Sequence, residues 1–546
     1  MIKLPVQIAL EDHLDVWEKQ KHTCTLYKDA YHTEFFKGRK DSYFPDFWLT
    51  IETADTYAAI ESYISALFPK SPAVELENPT VPDKDKLTIK TIIDNFLYSK
   101  SEEIQDAMRL GLVYPSAFLK CVPRESEDPF NRVDVSPVEP WNIIVDKSAK
   151  KWEDQRFCGH IYFLNVSDAR EKFGDKNFCP VPYTSYFDDV APSSSSFYKG
   201  MSLENNLPED YQFVKIVEFY DFVKDELIFY TENVKDYNDQ ILDKMPIPIR
   251  DYDDSPLSPI IPVYFSKRTD SPMEGLSSVS RIYDQISEKN ILRTFLANSH
   301  RRDARQYLYR KDAISNESLS QIQEGVDGAM IGVESDSLSD VIRSLEIPAT
   351  SRNIDNYFNY IESDLQRSSI MAPFTRGEAT KATATEIAQL SAYTASEVGK
   401  MAKVRDNAIV MISKVYLRIL INMIEDGETL ISPVKKEFKM LTVDQLDKNF
   451  KIYAVDQGGD PISRNVKKME FIQLVPTLTQ LGVSQDKLLE ELVNLYDLPL
   501  SLLEKPEVPE MPEGTEPGGL PGGQLSGLIN ELEAQQPPIQ PGIPEV

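Results

Sequence analysis

Met371-Ala-Pro-Phe-Thr-Arg-Gly-Glu-Ala-Thr-Lys-Ala-Thr383 leads into a helical pattern that runs to Gly427, and the fold is decided by how this stretch is read. The first part is small, polar and loop-like. From Ala384 to Asp426 the chain then holds no Pro and only one glycine, Gly399. Thr383-Ala-Thr-Glu386 fits a capping box: Thr383 accepts from the N3 amide, and Glu386 reaches back to the cap amide. Beyond it Ile387, Leu390, Val398, Met401, Val404, Ala408, Ile412, Val415, Ile419 and Met423 recur at helical spacing. A helix over this stretch spans about 60 Å at about 1.5 Å per residue. The usual helix has about three turns. Gly427 supplies a stop. Such a helix reads as a spine on which other elements pack, with its apolar stripe partly covered by neighbouring copies.

Two more helical patterns lie upstream. Asn353 to Ser369 places Tyr357, Ile361, Leu365 and Ile370 on one side. Ser271-Pro-Met-Glu-Gly-Leu-Ser277 opens the other, with Val279, Ile282, Ile286, Ile291 and Phe295 apolar, to about Arg305. This is the most basic stretch, carrying Arg281, Lys289, Arg293, Arg301, Arg302 and Arg305, then Arg310 and Lys311. Between the two helices, Gln306 to Arg310 and Ala329 to Val333 read as a strand pair. That insert is acidic, with Asp327, Glu334 and Asp336 among its carboxylates. Acidic loops commonly show such spacing, so these three are not read as metal ligands.

The order is helix, acidic insert, helix, small-residue loop with Arg376 and Lys381, capping box and very long helix. With the wording Ala372-Pro-Phe-Thr-Arg-Gly377 and Thr383-Ala-Thr-Glu386, it resembles bacteriophage portal proteins, the head-to-tail connectors, especially those of short-tailed phages. The likeness spans roughly residues 40 to 500 and is strongest from 271 to 426. Locally, a helical hairpin with a polar turn fits equally well, and the flanking order is what favours the portal.

The resemblance implies an α+β, ring-forming subunit, about twelve to a ring, at one capsid vertex of the virion, assembled in the cytoplasm of a bacterial host. It implies a wing over 1–270, a first stem helix over 271–305, a clip over 306–350 and a second stem helix over 351–370. A tunnel loop over 371–383, the spine helix and more wing over 384–450, a crown over 451–504 and a tail over 505–546 complete it. Arg376, Gly377, Lys381 and Thr383 would face the DNA channel. The basic residues of the first stem helix would form a ring near DNA, although a solvated face pairing with a neighbour's acids fits them too. Asp327, Glu334 and Asp336 would dock partners. Implied partners are further copies, the large terminase motor, a tail adaptor, major capsid and scaffolding proteins, and double-stranded DNA held without sequence preference. No cofactor and no catalysis are implied.

Composition agrees with a surface that lets DNA slide. The chain has 546 residues, a net charge of -28 and a pI near 4.7. That length can bury a large core and hold several domains. An acidic surface repels DNA, which argues against tight wrapping, though solubility alone explains the charge as well. Cys24, Cys121, Cys158 and Cys179 show no CxxC pairing and read as reduced, buried thiols. His22-x-Cys24 has no partner pair for a metal. The start carries Glu11, Asp12 and Asp15, unlike a signal peptide. The most apolar run, Ala408 to Ile424, is broken by Lys414 and Arg418 and is no membrane span. GxxxxGK[ST], GxSxG and HExxH are absent, and the histidines His13, His22, His32, His160 and His300 are scattered. The competing readings are another ring-shaped virion adaptor and a DNA-processing enzyme built on acidic clusters.

The remaining chain divides cleanly. Residues 1 to about 110 read as helical, with Tyr57, Ile60, Tyr63, Ile64 and Leu67 in a stripe ending at Pro69, and a second helical zone from Lys86 to Gly111. An extended piece starts at Val74. Pro115 to about Pro262 is strand-rich: runs starting at Ala117, Val133, Trp141, Gly159, Phe213 and Glu226 are β-branched or aromatic. Pro180 to Pro208 is a Ser-, Pro- and Asp-rich loop. Asp146 ends a strand at a turn, where an acid is ordinary. Phe450 to Val455 reads as a strand, Arg464 to Leu481 and Ser484 to Tyr496 as helices. The Pro- and Gly-rich end from Lys505 cannot form a core.

Overall fold

Helices come first. In the computed structural model α1 is Pro5–Tyr31, α2 Lys40–Tyr43, α3 Asp55–Leu67, then β1 Val74–Glu77, α4 Asp83–Ser99 and α5 Ser101–Val113. The structure describes residues 4–126, 132–181, 212–269, 274–303, 353–368, 384–423 and 446–455, with short pieces at 307–309, 314–316, 320, 342–344, 430–434, 437–441 and 475. Chain contacts divide residues 1–465 from 466–546. The expected helices after Arg464 and the tail lie outside the described residues, as does most of the Pro180 to Pro208 loop.

Pro5 opens α1, and the Gln7 amide accepts from the Leu4 N–H at 2.9 Å. The single helical zone expected from Lys86 to Gly111 is split at Lys100. There the backbone leaves helical geometry (φ −109°, ψ 16°), and the buried Lys100 ammonium meets Asp134 at 2.5 Å.

The strands follow as β2 Ala117–Pro123, β3 Val133–Val138, β4 Ile143–Val145, β5 Phe157–Asn165, the short helix α6 Val166–Phe173, β6 Phe213–Asp221, β7 Glu226–Tyr230, β8 Ile241–Pro246 and β9 Ile260–Val263. They form two antiparallel sheets, β4-β5-β6-β7-β8 and β3-β2-β9. One face of the larger sheet takes Val6, Ala9 and Leu10 of α1. Phe118 of β2 and Ile260 of β9 join a second core with Val214, Ile216 and Tyr220. The fold is α+β.

Next come α7 Tyr283–Asp303, β10 Tyr307–Tyr309, β11 Ile342–Ser344, α8 Asn353–Ser368, α9 Ala384–Met423, β12 Leu430–Val434, β13 Glu437–Leu441 and β14 Lys451–Ala454. α9 is the long helix, at 40 residues. It begins one residue after Thr383, which is itself outside the described residues, as are the side chains of Ile387 and Leu390. Its burial is more than a stripe. Ala408, Ile409, Ile412, Ser413, Val415, Tyr416, Leu417, Ile419 and Leu420 are all buried. α3, α4, α5, β2 and β9 enclose this half in the core. Phe96 stacks on Tyr416 with centroids 3.8 Å apart. Arg405 is buried and donates to the Leu67 carbonyl, one of the orphan acceptors at the end of α3.

Long-range strand pairing ties distant parts of this body together. β1 pairs with β14, Val74 opposite Ala454. β10 pairs with β11, and the expected strand Ala329 to Val333 lies outside the described residues.

Candidate stem helices and docking surfaces

The expected helix start at 271–277 is not helical where the structure describes it. Only a single 3-10 turn, Val279–Arg281, precedes α7. Residues 275–278 are instead held against the end of α5. The Ser277 hydroxyl donates to the Val113 carbonyl at 2.6 Å, and the Ser278 N–H donates to the Leu112 carbonyl at 2.9 Å. The closing carbonyls of α5 need donors, and this segment supplies them. Gly275 passes so close to the Pro115 carbonyl oxygen that a Cβ would sit 1.6 Å from it.

α7 and α8 lie side by side and antiparallel. Leu365 packs with Ile282, Ile286 and Ala59 of α3, while Glu362 meets Lys289 further along α7. Ile361 and Leu365 are buried as their spacing predicts. Tyr357 is exposed on that helix, with its hydroxyl on Glu288. Phe295, assigned to the apolar side of α7, is 44% exposed.

The basic residues of α7 separate. Arg281 is exposed and donates to the Ser266 hydroxyl at 2.6 Å; Arg293 is exposed as well. Lys289 points inward, with a side chain only 7% exposed, and sits 2.8 Å from both Asp55 and Glu362. It is the joint between α3, α7 and α8 rather than part of an open cationic face. Arg301 and Arg302 fall on α7, but their side chains lie outside the described residues, as does Arg305. The same holds for Arg376, Gly377, Lys381 and Thr383, for the Glu386 side chain, and for Asp327, Glu334 and Asp336.

A second contact on α7 was not anticipated from sequence. Residues 49–53 run extended along the helix with no strand partner among the described residues. Asn298 reads the Leu49 peptide twice, accepting from its N–H at 3.0 Å and donating to its carbonyl at 2.7 Å. Thr294 accepts from the Ile51 N–H at 2.9 Å and donates to its carbonyl at 3.2 Å. Asn290 accepts from the Thr53 N–H at 3.0 Å and from its hydroxyl at 2.9 Å. The spacing explains the match: two extended residues advance about 6.6 Å, and four helical residues about 6.0 Å. Polar residues at i, i+4 and i+8 inside an apolar pattern are the signal that could have revealed it.

Between the two sheets lies a buried polar cluster. The Lys120 ammonium is 2.7 Å from Glu218 and 3.0 Å from His160 Nδ1, and the Tyr220 hydroxyl donates to Glu218. Burial alone would raise the Glu218 carboxyl, but Lys120 and Tyr220 hold it below the usual carboxylate range. Burial and then Lys120 push His160 down to about 3. His13, whose Nε2 donates to the Trp141 carbonyl at 2.7 Å, is pushed down to about 4, chiefly by burial. Burial pushes the Cys121 and Cys158 thiols up to about 12. Asp146 is a turn residue. Burial would raise its carboxyl, yet hydrogen bonds from Arg156 and Ser148 hold it at about 2. His22 is exposed while Cys24 is buried, so the two do not share a face.

A cavity of about 220 Å3 opens beside α1. Trp17 and Tyr27 of α1, Phe118 of β2 and Val145 of β4 form walls, and Lys19, Lys147, Arg268 and Glu274 lie at it too. No member of the Lys120 cluster lines it. Among the described residues no group of three His, Cys, Asp or Glu side chains is arranged to hold a metal, and no helix is long and apolar enough to cross a membrane. No protein-family model matches the chain, and no curated protein matches its sequence.

Proposed function

We propose that the chain is the subunit of a phage portal, a ring at one capsid vertex through which the genome is packaged and ejected and on which the packaging motor and then the tail dock. One observation carries the reading. An antiparallel helix pair, α7 and α8, stands between an N-terminal α+β body and a 40-residue helix, and the second half of that helix returns into the core of the same body. This arrangement suits a channel protein. The helix pair can line a bore, the segment between α8 and α9 can project into it, and the long helix anchors both to a rigid wing. In this reading residues 306–350 are the clip, 371–383 the tunnel loop with Arg376 and Lys381 toward DNA, and the motor and tail adaptor bind in turn at the clip. Electron microscopy of the purified protein tests it: rings with a central channel are expected. A monomer that persists at high concentration, or cleavage of DNA by the pure protein with Mg²⁺, would overturn the reading.

A further inference from the structure

The cavity beside α1 holds two polar atoms that the fold leaves unused. His13 is 4% exposed, and its Nε2 donates to the Trp141 carbonyl. Burial pushes this imidazole down to about 4, so it is neutral at pH 7. With its one proton on Nε2, the ring presents Nδ1 as a bare acceptor. Nδ1 has no hydrogen-bond partner among the described residues. Ser116 is also 4% exposed, and its hydroxyl likewise has no partner among the described residues. Both residues line the cavity, and neither atom is sealed off from water. Buried polar groups are almost always paired, so two orphans in one cavity mark a place where a bound molecule completes the bonds.

The rest of the lining limits the shape and charge of that molecule. Trp17 and Tyr27 of α1 and Phe118 of β2 contribute rings, and Val145 of β4 an aliphatic wall. Such walls take a flat apolar body. At about 220 Å3 the cavity is below the range of about 300–1,000 Å3 that suits drug-sized ligands. An apolar cavity of about 150 Å3 takes benzene, so one ring with a small substituent fits here. The cations at the cavity already have carboxylate partners within the chain. Lys19 pairs with Asp15 at 2.6 Å, and Lys147 and Arg268 pair with Glu274 at 3.2 and 4.0 Å. A charged ligand would have to break one of these pairs, whereas a neutral one leaves them in place. Its substituent must offer a donor to Nδ1 and an acceptor to the serine hydroxyl. A hydroxyl group does both.

We infer that this cavity is a binding site for a small neutral molecule of the phenol type. The ligand hydroxyl donates to His13 Nδ1 and accepts from the Ser116 hydroxyl, while the ring lies among Trp17, Tyr27 and Phe118. Water alone would satisfy the two polar atoms but leave the aromatic walls wet, whereas a hydroxylated ring satisfies the atoms and dries the walls. Every residue of the site belongs to one copy of the chain, so it stands apart from the portal reading.

Titration of the full chain with phenol, followed by ligand-observed NMR, tests it. A ligand this small should bind with a Kd near about 1 mM. Toluene, of similar size but without donor or acceptor, should bind at least about tenfold more weakly, because it leaves both polar atoms unpaired. Ser116→Ala should weaken phenol binding about fivefold and leave toluene unchanged. The serine hydroxyl bonds nothing else among the described residues, so the variant should keep the wild-type thermal midpoint, measured alongside. The comparison of phenol with toluene requires no variant at all. Equal binding of the two, phenol binding indifferent to Ser116→Ala, or no phenol binding would overturn the site and leave the two atoms to water.

Discussion

At the scale of single residues, buried charge and buried histidine dominate. His13 and His160 have ordinary values near 6.5 when unfolded, against about 4 and about 3 in the fold. Between those limits the unfolded chain binds protons that the folded chain refuses, so stability falls as pH drops below about 6.5 and levels off only below the folded values. Each histidine adds a slope of up to about 1.4 kcal/mol per pH unit. Urea midpoints measured from pH 7.5 to 5 should fall with pH, and His13→Gln with His160→Gln should flatten the curve while keeping a donor for Trp141 and an acceptor for Lys120. An unaltered slope in the double variant would place the acid lability elsewhere. Lys289 is the second case. Removing it as Lys289→Met leaves Asp55 and Glu362 facing each other around a mostly buried site, and breaking such a set costs about 3–5 kcal/mol. Adding Asp55→Asn and Glu362→Gln should recover much of the loss in denaturation experiments. No recovery would mean that Lys289 acts through packing rather than charge. Arg376 and Lys381 belong at this scale as well. On the proposed portal reading, the double variant Arg376→Ala with Lys381→Ala should form normal rings that package or retain less DNA, because two weak phosphate contacts per copy would be lost. Unchanged packaging would remove both from the channel.

At the scale of elements, the extended segment 49–53 is held to α7 by hydrogen bonds with Asn290, Thr294 and Asn298, while its Glu52 carboxylate accepts from the Phe35 and Phe36 N–H groups. Its exposed Leu49 and half-buried Ile51 contribute little apolar burial. Neutral hydrogen bonds are worth about 1 kcal/mol each net, and segments held this way open early. Deuterium uptake should show it. In Asn290→Ala with Asn298→Ala, peptides covering residues 45–54 should lose protection while α3 keeps its own. Equal uptake in variant and wild type would mean that Glu52 on the Phe35 and Phe36 amides and the aromatic base around them hold the segment instead.

At the scale of the whole molecule, charge sets how partners meet. With 87 acidic against 59 basic side chains, most approaching surfaces face a negative field. A motor that docks on an acidic clip through rim charges should associate faster at low salt, since screening removes such steering over about 10 Å at 0.1 M. On the proposed portal reading, Glu334→Lys with Asp336→Lys should therefore weaken motor docking more at low salt than at high salt. Docking that ignores both the substitutions and the salt would locate an apolar contact elsewhere.

What the sequence determined by itself was local. The long helix, its start beside Thr383, the helices of the first hundred residues and the strands from Ala117 to Tyr230 were legible because apolar periodicity and turn residues act over a few positions. Tertiary structure alone decided the rest. The pattern of α9 could not show that residues 408–420 are enclosed on most sides, because α3, α4 and β9 come from distant parts of the chain. β8, β9 and the β12–β13 hairpin were not singled out, and β1 finds its partner near residue 454. Lys289 and Arg293 look alike as letters on one helix. Only the acids brought by Asp55 and Glu362 turn the first inward, while the second stays exposed. Asn290, Thr294 and Asn298 acquire their role only when the backbone of residues 49–53 is laid against them, because a hydrogen bond between positions about 240 apart leaves no periodicity in either segment.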